Sequence, residues 1–254
     1  MVGCGKMGGA LLGNWMRGDD TFTVVDPALE SVPDGAELVR GTDQLAGRSF
    51  DLVVIAVKPQ LIDAVMPAYS ALLAEGGYAL SIAAGCEIVR IKIAMDDATT
   101  VRVMHNLPAA IGKGVSAICG SSDASEAHLA HARALMQRTG TVVTVADEDK
   151  IDRFTAIAGS GPGYIFEFAR SYVEAATDLG FTKDEARAMV LDMIDGTISM
   201  ARSAQEELAD LRNSVTSKGG TTAAGLNALN GEGDLSVLLK STLDAAYARA
   251  LELK

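Results

Sequence analysis

The sequence changes character at Ala146-Asp147-Glu148-Asp149, and that break constrains the fold more than any other feature. Before it, short β-branched runs alternate with helix-like stretches: Thr21–Val25, Asp51–Val57, Tyr78–Ala83, Thr100–Met104, Val115–Cys119 and Thr141–Val145. This alternation predicts an α/β region with a mostly parallel sheet. Asp51–Val57 is apolar without alternation, which suits a central strand covered by helices on both faces. After the break there is no strand signal. Tyr164–Gly180 follows Gly161-Pro162-Gly163 and puts Ile165, Phe168, Ala169, Tyr172, Ala176 and Leu179 on one face. Thr182-Lys-Asp-Glu185 is a capping box that opens a second helix with Met189, Val190, Met193, Ile194 and Ile198 inward, and Asp234 is placed to cap a last one. The expected organisation is an α/β domain over 1–148 and an all-helical domain over 149–254.

Composition narrows the function classes. The 254 residues carry a net charge of −11, which disfavours a nucleic-acid binder that must present a basic face to phosphate. With 48% apolar residues the chain can bury a core and is no disordered polymer. Its apolar runs fall far short of the ~20 residues that cross a bilayer, and no basic, apolar leader opens it, so a cytoplasmic protein without membrane contact is expected. Cys4, Cys86 and Cys119 are odd in number and widely spaced, the pattern of packing thiols with no disulfide framework and no metal site. Apolar helices rich in Ala and Met, in so short a second half, predict that a partner subunit covers some faces.

Gly3-x-Gly5-x-x-Gly8 fits a dinucleotide-binding fingerprint. The first glycine allows a tight turn, the second lets a pyrophosphate approach the backbone, and the third lets the next helix, expected over 9–16, pack close to the sheet. The strand Thr21–Val25 then ends in Asp26, where a carboxylate can accept hydrogen bonds from an adenosine ribose. Only Met1-Val2 precede the first glycine, so the first strand is expected to be truncated, with several residues missing from the start of the chain. Lys58-Pro59-Gln60 follows the Asp51–Val57 strand at a carboxyl end, where such sheets bind ligands, and Ser81–Gly85 ends the next strand in small residues. In the second half, Ser214–Thr222 sets hydroxyls and paired glycines before a helix over Ala223–Leu229. That arrangement offers exposed amides and the positive end of a helix dipole to a small carboxylate. His128 and His131, three apart on a surface helix, read as a solvated pair.

Together these segments resemble pyrroline-5-carboxylate reductases over nearly the whole chain. The resemblance rests on Val2–Ala10, Ala56-Val-Lys-Pro-Gln60, Arg102–Gly114, Gly159-Ser-Gly-Pro-Gly163 and, most specifically, Val215-Thr-Ser-Lys-Gly-Gly-Thr-Thr-x-x-Gly225-Leu. It implies hydride transfer from NAD(P)H to the C=N carbon of a cyclic imine, giving L-proline. It implies that Val2, Gly3, Gly5, Lys6, Met7 and Gly8 hold the pyrophosphate, and that Ala56, Val57, Lys58 and Pro59 flank the nucleotide. Ala83, Ala84 and Gly85, with Asn106 and Pro108, would border the nicotinamide. Val215, Ser217, Gly219, Gly220, Thr221 and Thr222 would hold the substrate, and the Thr222 hydroxyl would meet the ring nitrogen. The resemblance also implies a homodimer with interlocked helical domains, with larger rings of dimers open to it. The chain departs from the family at Met104-His105-Asn106-Leu107-Pro108, where Met-Pro-Asn-Thr-Pro is usual, at Lys218, where proline is frequent, and at Ala158 and Gly163.

Two other readings are weighed against this one. A β-hydroxyacid dehydrogenase would need a helical acid/base lysine, for which Lys150 and Lys183 are poorly placed. A catalytically silent NAD-binding protein is suggested by His105 and Leu107. On cofactor choice, Asp26 would repel a 2′-phosphate and the residues Pro27–Glu30 bring no cation, so NADH is expected ahead of NADPH. Good NADPH use would require a basic group from outside this loop, such as Lys6 or Arg40.

Overall fold

The computed structural model describes residues Met1–Leu253, which divide into two compact units. The first comprises Met1–Pro162 together with the chain from Ala246 onward; the second is Gly163–Ala245. Elements in chain order are α1 (Lys6–Trp15), β1 (Thr23–Val25), β2 (Glu37–Val39), β3 (Phe50–Ile55), α2 (Ile62–Val65), β4 (Leu73–Ser81), α3 (Ile88–Ala94), β5 (Thr100–His105), β6 (Gly114–Gly120), α4 (Glu126–Gln137) and β7 (Gly140–Thr144). They continue with α5 (Glu148–Phe154), a π-helical turn (Thr155–Gly159), α6 (Gly161–Asp178), α7 (Lys183–Ser203), α8 (Leu208–Ser214), α9 (Thr221–Asn230) and α10 (Asp234–Glu252). The first helix therefore starts at Lys6, three residues earlier than read from sequence, because the glycine loop itself supplies its N-cap, Gly5.

In the first unit the strands run in the order β2-β1-Val2-β3-β4-β5-β6-β7. Val2 is a single-residue bridge, parallel to both Val25 and Ile55, that joins the two-stranded and five-stranded parts. All pairings are parallel except β5–β6, which is antiparallel through Val103↔Ile118 and its neighbours. The apolar run of β3 serves both faces. Val53 and Ile55 pack with Ile62, Met66 and Ile91, whereas Val54 packs with Leu11, Trp15, Leu80 and Val101. Successive strand residues point to opposite faces, so a strand covered on both sides has no use for polar alternation.

α5 is seated on this sheet by charge as well as packing. Asp147 caps it by accepting from the Lys150 amide at 2.9 Å. Arg102 of β5, 3% exposed, lies 2.7 Å from Glu148 and 3.5 Å from Asp152. The Glu148 carboxylate also accepts from the Ile88 amide at 3.0 Å. Removing one member of such a buried cluster leaves an uncompensated charge, a loss of about 3–5 kcal/mol.

The second unit is helical. Pro162 sits in the first turn of α6, where its missing N–H costs nothing. At α7 the Glu185 amide donates to the Thr182 hydroxyl and the Thr182 amide donates to Glu185, the reciprocal capping box read from sequence. Ala169, Ala186 and Val190 are buried, yet Met189, Met193 and Ile198 are exposed, contrary to the expectation that they face inward. Within this unit only Ala169, Ala186 and Val190 find full cover, so the rest of the stripe stays open. Leu179, Leu208, Met200 and Val237 stand at least 68% exposed. α10 starts at Asp234 itself, so that residue is the first of the helix rather than its cap. No helix among the described residues is long and apolar enough to cross a membrane.

Candidate active site

The carboxyl ends of the parallel strands and the amino end of α1 surround a cleft of about 540 Å³. Gly3, Gly5, Asp26, Ala56, Val57 and Lys58 all line it. The three glycines differ in what they permit. Gly3 has φ +79°, and a Cβ there would come within 3.0 Å of the Ala56 carbonyl and the Val57 side chain. At Gly8 a Cβ would meet the Ala56 side chain at 3.4 Å and the end of Met1 at 2.7 Å, so this glycine lets the helix lie close to the sheet. A Cβ at Gly5 would meet no described atom within 4 Å and would project into open space. An opening of that kind beside a helix N-terminus fits a pyrophosphate, whose oxygens take the first unpaired amides of α1. Lys6 and Met7 form the first turn of that helix.

Asp26 is tied to this loop. Its Oδ2 accepts from the Cys4 amide at 2.9 Å, and its Oδ1 accepts from the amides of Ala28 at 2.9 Å and Leu29 at 3.2 Å. The free carboxylate assumed from the sequence is in fact three-quarters engaged, because the turn after β1 folds its own amides onto it. Burial pushes the Cys4 thiol up, and the Asp26 charge adds to this, so the loop gains no second anion. Arg40 also lines the cleft, brought there by the β1–β2 pairing that sequence reading did not foresee.

Ala83, Ala84 and Gly85 follow β4, and Asn106 and Pro108 follow β5, at strand ends next in sheet order to β3. Gly85 holds φ +68°. Asn106 is buried and its amide is engaged at both ends: Oδ1 accepts from Val115 N at 2.9 Å and Nδ2 donates to the Ala158 carbonyl at 3.0 Å. Those bonds fix the β5–β6 connection and the π turn, and they leave one N–H and one oxygen lone pair of the amide for a further partner. His105 follows Val101 and Val103 by strand alternation onto the face of Leu11 and Trp15. Its Nδ1 is buried without a hydrogen-bond partner among the described residues, and burial lowers its pKa to about 4, so the ring is neutral.

In the second unit, α8 ends at Ser214 and the chain turns through Gly219, φ +71°, into α9. The Ser214 and Thr216 hydroxyls donate back to Leu211 and Arg212 carbonyls. Gly220 is the N-cap of α9, and no side chain among the described residues caps it. A Cβ on Gly220 would run into the Ser217 hydroxyl. Ser217, Thr221 and Thr222 are exposed around this helix start, as is Val215. The histidine pair, by contrast, is not simply solvated. His128 completes a capping box with Ser125, and His131 lies 3.1 Å from the Tyr78 hydroxyl and 3.5 Å from Asp20. Partners 53 and 111 residues away leave no trace in local sequence.

Two family models match the chain: one described as pyrroline-5-carboxylate reductase dimerisation over residues 148–253, and one described as NADP oxidoreductase coenzyme F420-dependent over residues 1–85. The pyrroline-5-carboxylate reductase of Vibrio alginolyticus is 37% identical over 211 residues, covering 82% of this chain and 77% of that protein. That of Staphylococcus haemolyticus is 34% identical over 204 residues, with 80% and 74% covered. A solved structure of the Coxiella burnetii pyrroline-5-carboxylate reductase superimposes with a TM-score of 0.91 at 30% identity, covering 100% of this chain and 97% of that one. The fold is also that of the Plasmodium falciparum pyrroline carboxylate reductase with NADP bound, TM-score 0.84 at 23% identity, covering 99% and 96%. A glycine-loop cleft on an α/β sheet, followed by a helical unit, defines an NAD(P)-dependent oxidoreductase. The chain belongs to the pyrroline-5-carboxylate reductase family.

Proposed function

We propose that this chain reduces 1-pyrroline-5-carboxylate to L-proline, the last step of proline biosynthesis, using NADH ahead of NADPH. The observation that carries the reading is the start of α9, where Gly220 caps the helix without side-chain help and Ser217, Thr221 and Thr222 stand exposed around unpaired amides. Ordinary capping would spend one of these hydroxyls on the helix. The Gly220 amide already donates to the Ser217 carbonyl at 3.1 Å, so the exposed hydroxyls and the first-turn amides of α9, beginning at Thr221, are what suit a small carboxylate at the positive end of the dipole.

The bound nicotinamide would supply a hydride to the imine carbon. The C=N electron pair then collapses onto the ring nitrogen, which keeps its proton and becomes the secondary amine. A protonated imine is already electrophilic, so the chain's residues act mainly by placement. The glycine loop takes the pyrophosphate, with Ala56–Pro59 beside it, and Ala83–Gly85 and Pro108 border the ring. Asn106 acts by holding this border in position. Thr222 orients the imine through its nitrogen, and Val215 borders the substrate. Fixing donor and acceptor in contact is worth about 7–11 kcal/mol of barrier.

Asp26, with one acceptor position left, favours a ribose hydroxyl of NADH and repels a 2′-phosphate. The helical part from residue 149 onward serves as substrate and dimerisation domain. Its exposed apolar stripe supports a homodimer with interlocked helical domains, and rings of such dimers are consistent with it. The setting proposed is the cytoplasm, where Cys4, Cys86 and Cys119, all buried and unpaired, stay reduced.

The experiment is cofactor oxidation by the purified protein with fresh pyrroline-5-carboxylate beside its six-membered homologue. Turnover well above the enzyme-free blank, faster with the five-membered ring, is expected. A rate equal to the blank, with cofactor binding confirmed, overturns the reading.

A further inference from the structure

We infer that Arg40 is the residue that admits a 2′-phosphorylated nucleotide to this cleft, keeping NADPH usable in second place. The inference rests on the cofactor reading above and adds to it a specificity-determining side chain. β2 lies parallel to β1 with Val39 opposite Val25, and the Asp26 amide donates to the Val39 carbonyl at 3.1 Å. The residue after β2 therefore emerges beside the residue after β1. The Arg40 guanidinium is exposed and donates to the main-chain carbonyls of Asp26, at 3.4 Å, and Leu29. It hangs over the very turn, Asp26–Leu29, whose own residues bring no cation.

Three facts single it out. First, its recorded acceptors are neutral carbonyls, so a dianionic phosphate can draw the guanidinium away from them. Second, Asp26 has its Oδ1 filled by two amides and one Oδ2 lone pair filled by Cys4, so it can serve one ribose hydroxyl but offers a phosphate only repulsion. Third, Lys58, the other cation lining the cleft, follows β3. In the order β1-Val2-β3 that is two strand spacings from Asp26, roughly 10 Å, a position suited to the pyrophosphate. A planar fork beside the ribose matches phosphate geometry better than a point charge would.

The test is isothermal titration of the full-length protein and its Arg40→Met variant with NADH, NADPH, adenosine 5′-monophosphate and adenosine 2′,5′-bisphosphate. Losing hydrogen bonds to a charged group should weaken NADPH and the bisphosphate by about tenfold to a hundredfold. NADH and the monophosphate should weaken at least tenfold less, and Arg40→Lys should recover part of the NADPH loss. Equal losses for the phosphorylated and unphosphorylated members of each pair would assign Arg40 to adenine stacking or turn support and overturn the inference. So would no loss at all. If the parent binds neither NADH nor NADPH, the cofactor reading itself falls, and this inference with it. Melting curves of both variants beside the parent identify a folding defect, in which case Arg40→Gln replaces Arg40→Met under the same criteria.

Discussion

The carboxylate of Asp26 and the main-chain amide of Cys4, 22 residues apart, are joined by a hydrogen bond of 2.9 Å. One residue thus shapes the glycine loop and, in the proposed cofactor pose, faces the ribose, so its replacement should act twice. In Asp26→Asn, Oδ1 can still accept from Ala28 and Leu29, but an amide group would oppose the Cys4 N–H. NADH kcat/KM is expected to fall about tenfold, and the NADH:NADPH ratio of kcat/KM to shrink, because the repulsion of a 2′-phosphate is removed. Steady-state kinetics with both cofactors measures this. Equal or better NADPH use by the parent would sink the role given to Asp26.

Thr222 sits exposed in the first turn of α9. Thr222→Ala should lower turnover by about tenfold to a hundredfold, the effect of losing a hydrogen bond to a charged group, while the NADH dissociation constant changes far less. Stopped-flow turnover beside fluorescence titration separates the two. Unchanged activity would remove Thr222 from the site.

The glycines of the loop should separate binding from stability. Gly5→Ala projects a methyl into open cleft at φ −64°, so it should cost under about 1 kcal/mol of stability yet weaken NADH at least tenfold by blocking close approach to the backbone. Gly3→Ala forces a side chain to φ +79° within 3.0 Å of the Ala56 carbonyl and should destabilise by about 1–3 kcal/mol. Urea titration and NADH binding on both variants test the pair, and the reverse ranking would refute it.

His105 predicts a pH dependence of stability. Unfolded, its imidazole titrates near 6.5; buried, it stays neutral down to about 4. As pH falls through that window the unfolded chain takes up a proton that the folded chain refuses, so stability drops, by up to roughly 3 kcal/mol. Above pH 6.5 the term vanishes. His105→Phe should flatten the fall in urea midpoint between pH 6.5 and 4.5, and parallel curves for parent and variant would rule the effect out.

Local signals carried much of this molecule into its sequence, and the failures have a common cause. The fingerprint glycines, the Thr182–Glu185 box and the apolar β3 run each depend on neighbours within a few residues, so pattern reading reaches them. β2 has three residues and no alternation; its pairing with β1 decides its existence, and with it the arrival of Arg40. Asn106 shows no sign in sequence that its amide is bonded to Val115 and Ala158, the latter 52 residues on. Arg102 reads as an interruption of an apolar strand until Glu148 and Asp152 stand beside it. The helix stripes of the second half were legible as apolar, but which chain buries them is not a property of one chain's periodicity.

The single bridge at Val2 ties the continuity of the sheet to the glycine loop. Val2 N donates to Val54 O, Ala56 N to Val2 O, and Gly3 N to Val25 O, all at 2.8–2.9 Å. The peptide groups that seam the two parts of the sheet are thus the ones that shape the glycine cradle. Seam and cradle therefore depend on the same peptide groups, which join residues 23 and 53 positions apart in the chain. A nucleotide bound in that cradle would act as a rivet, drawing the folding equilibrium toward the joined sheet by mass action.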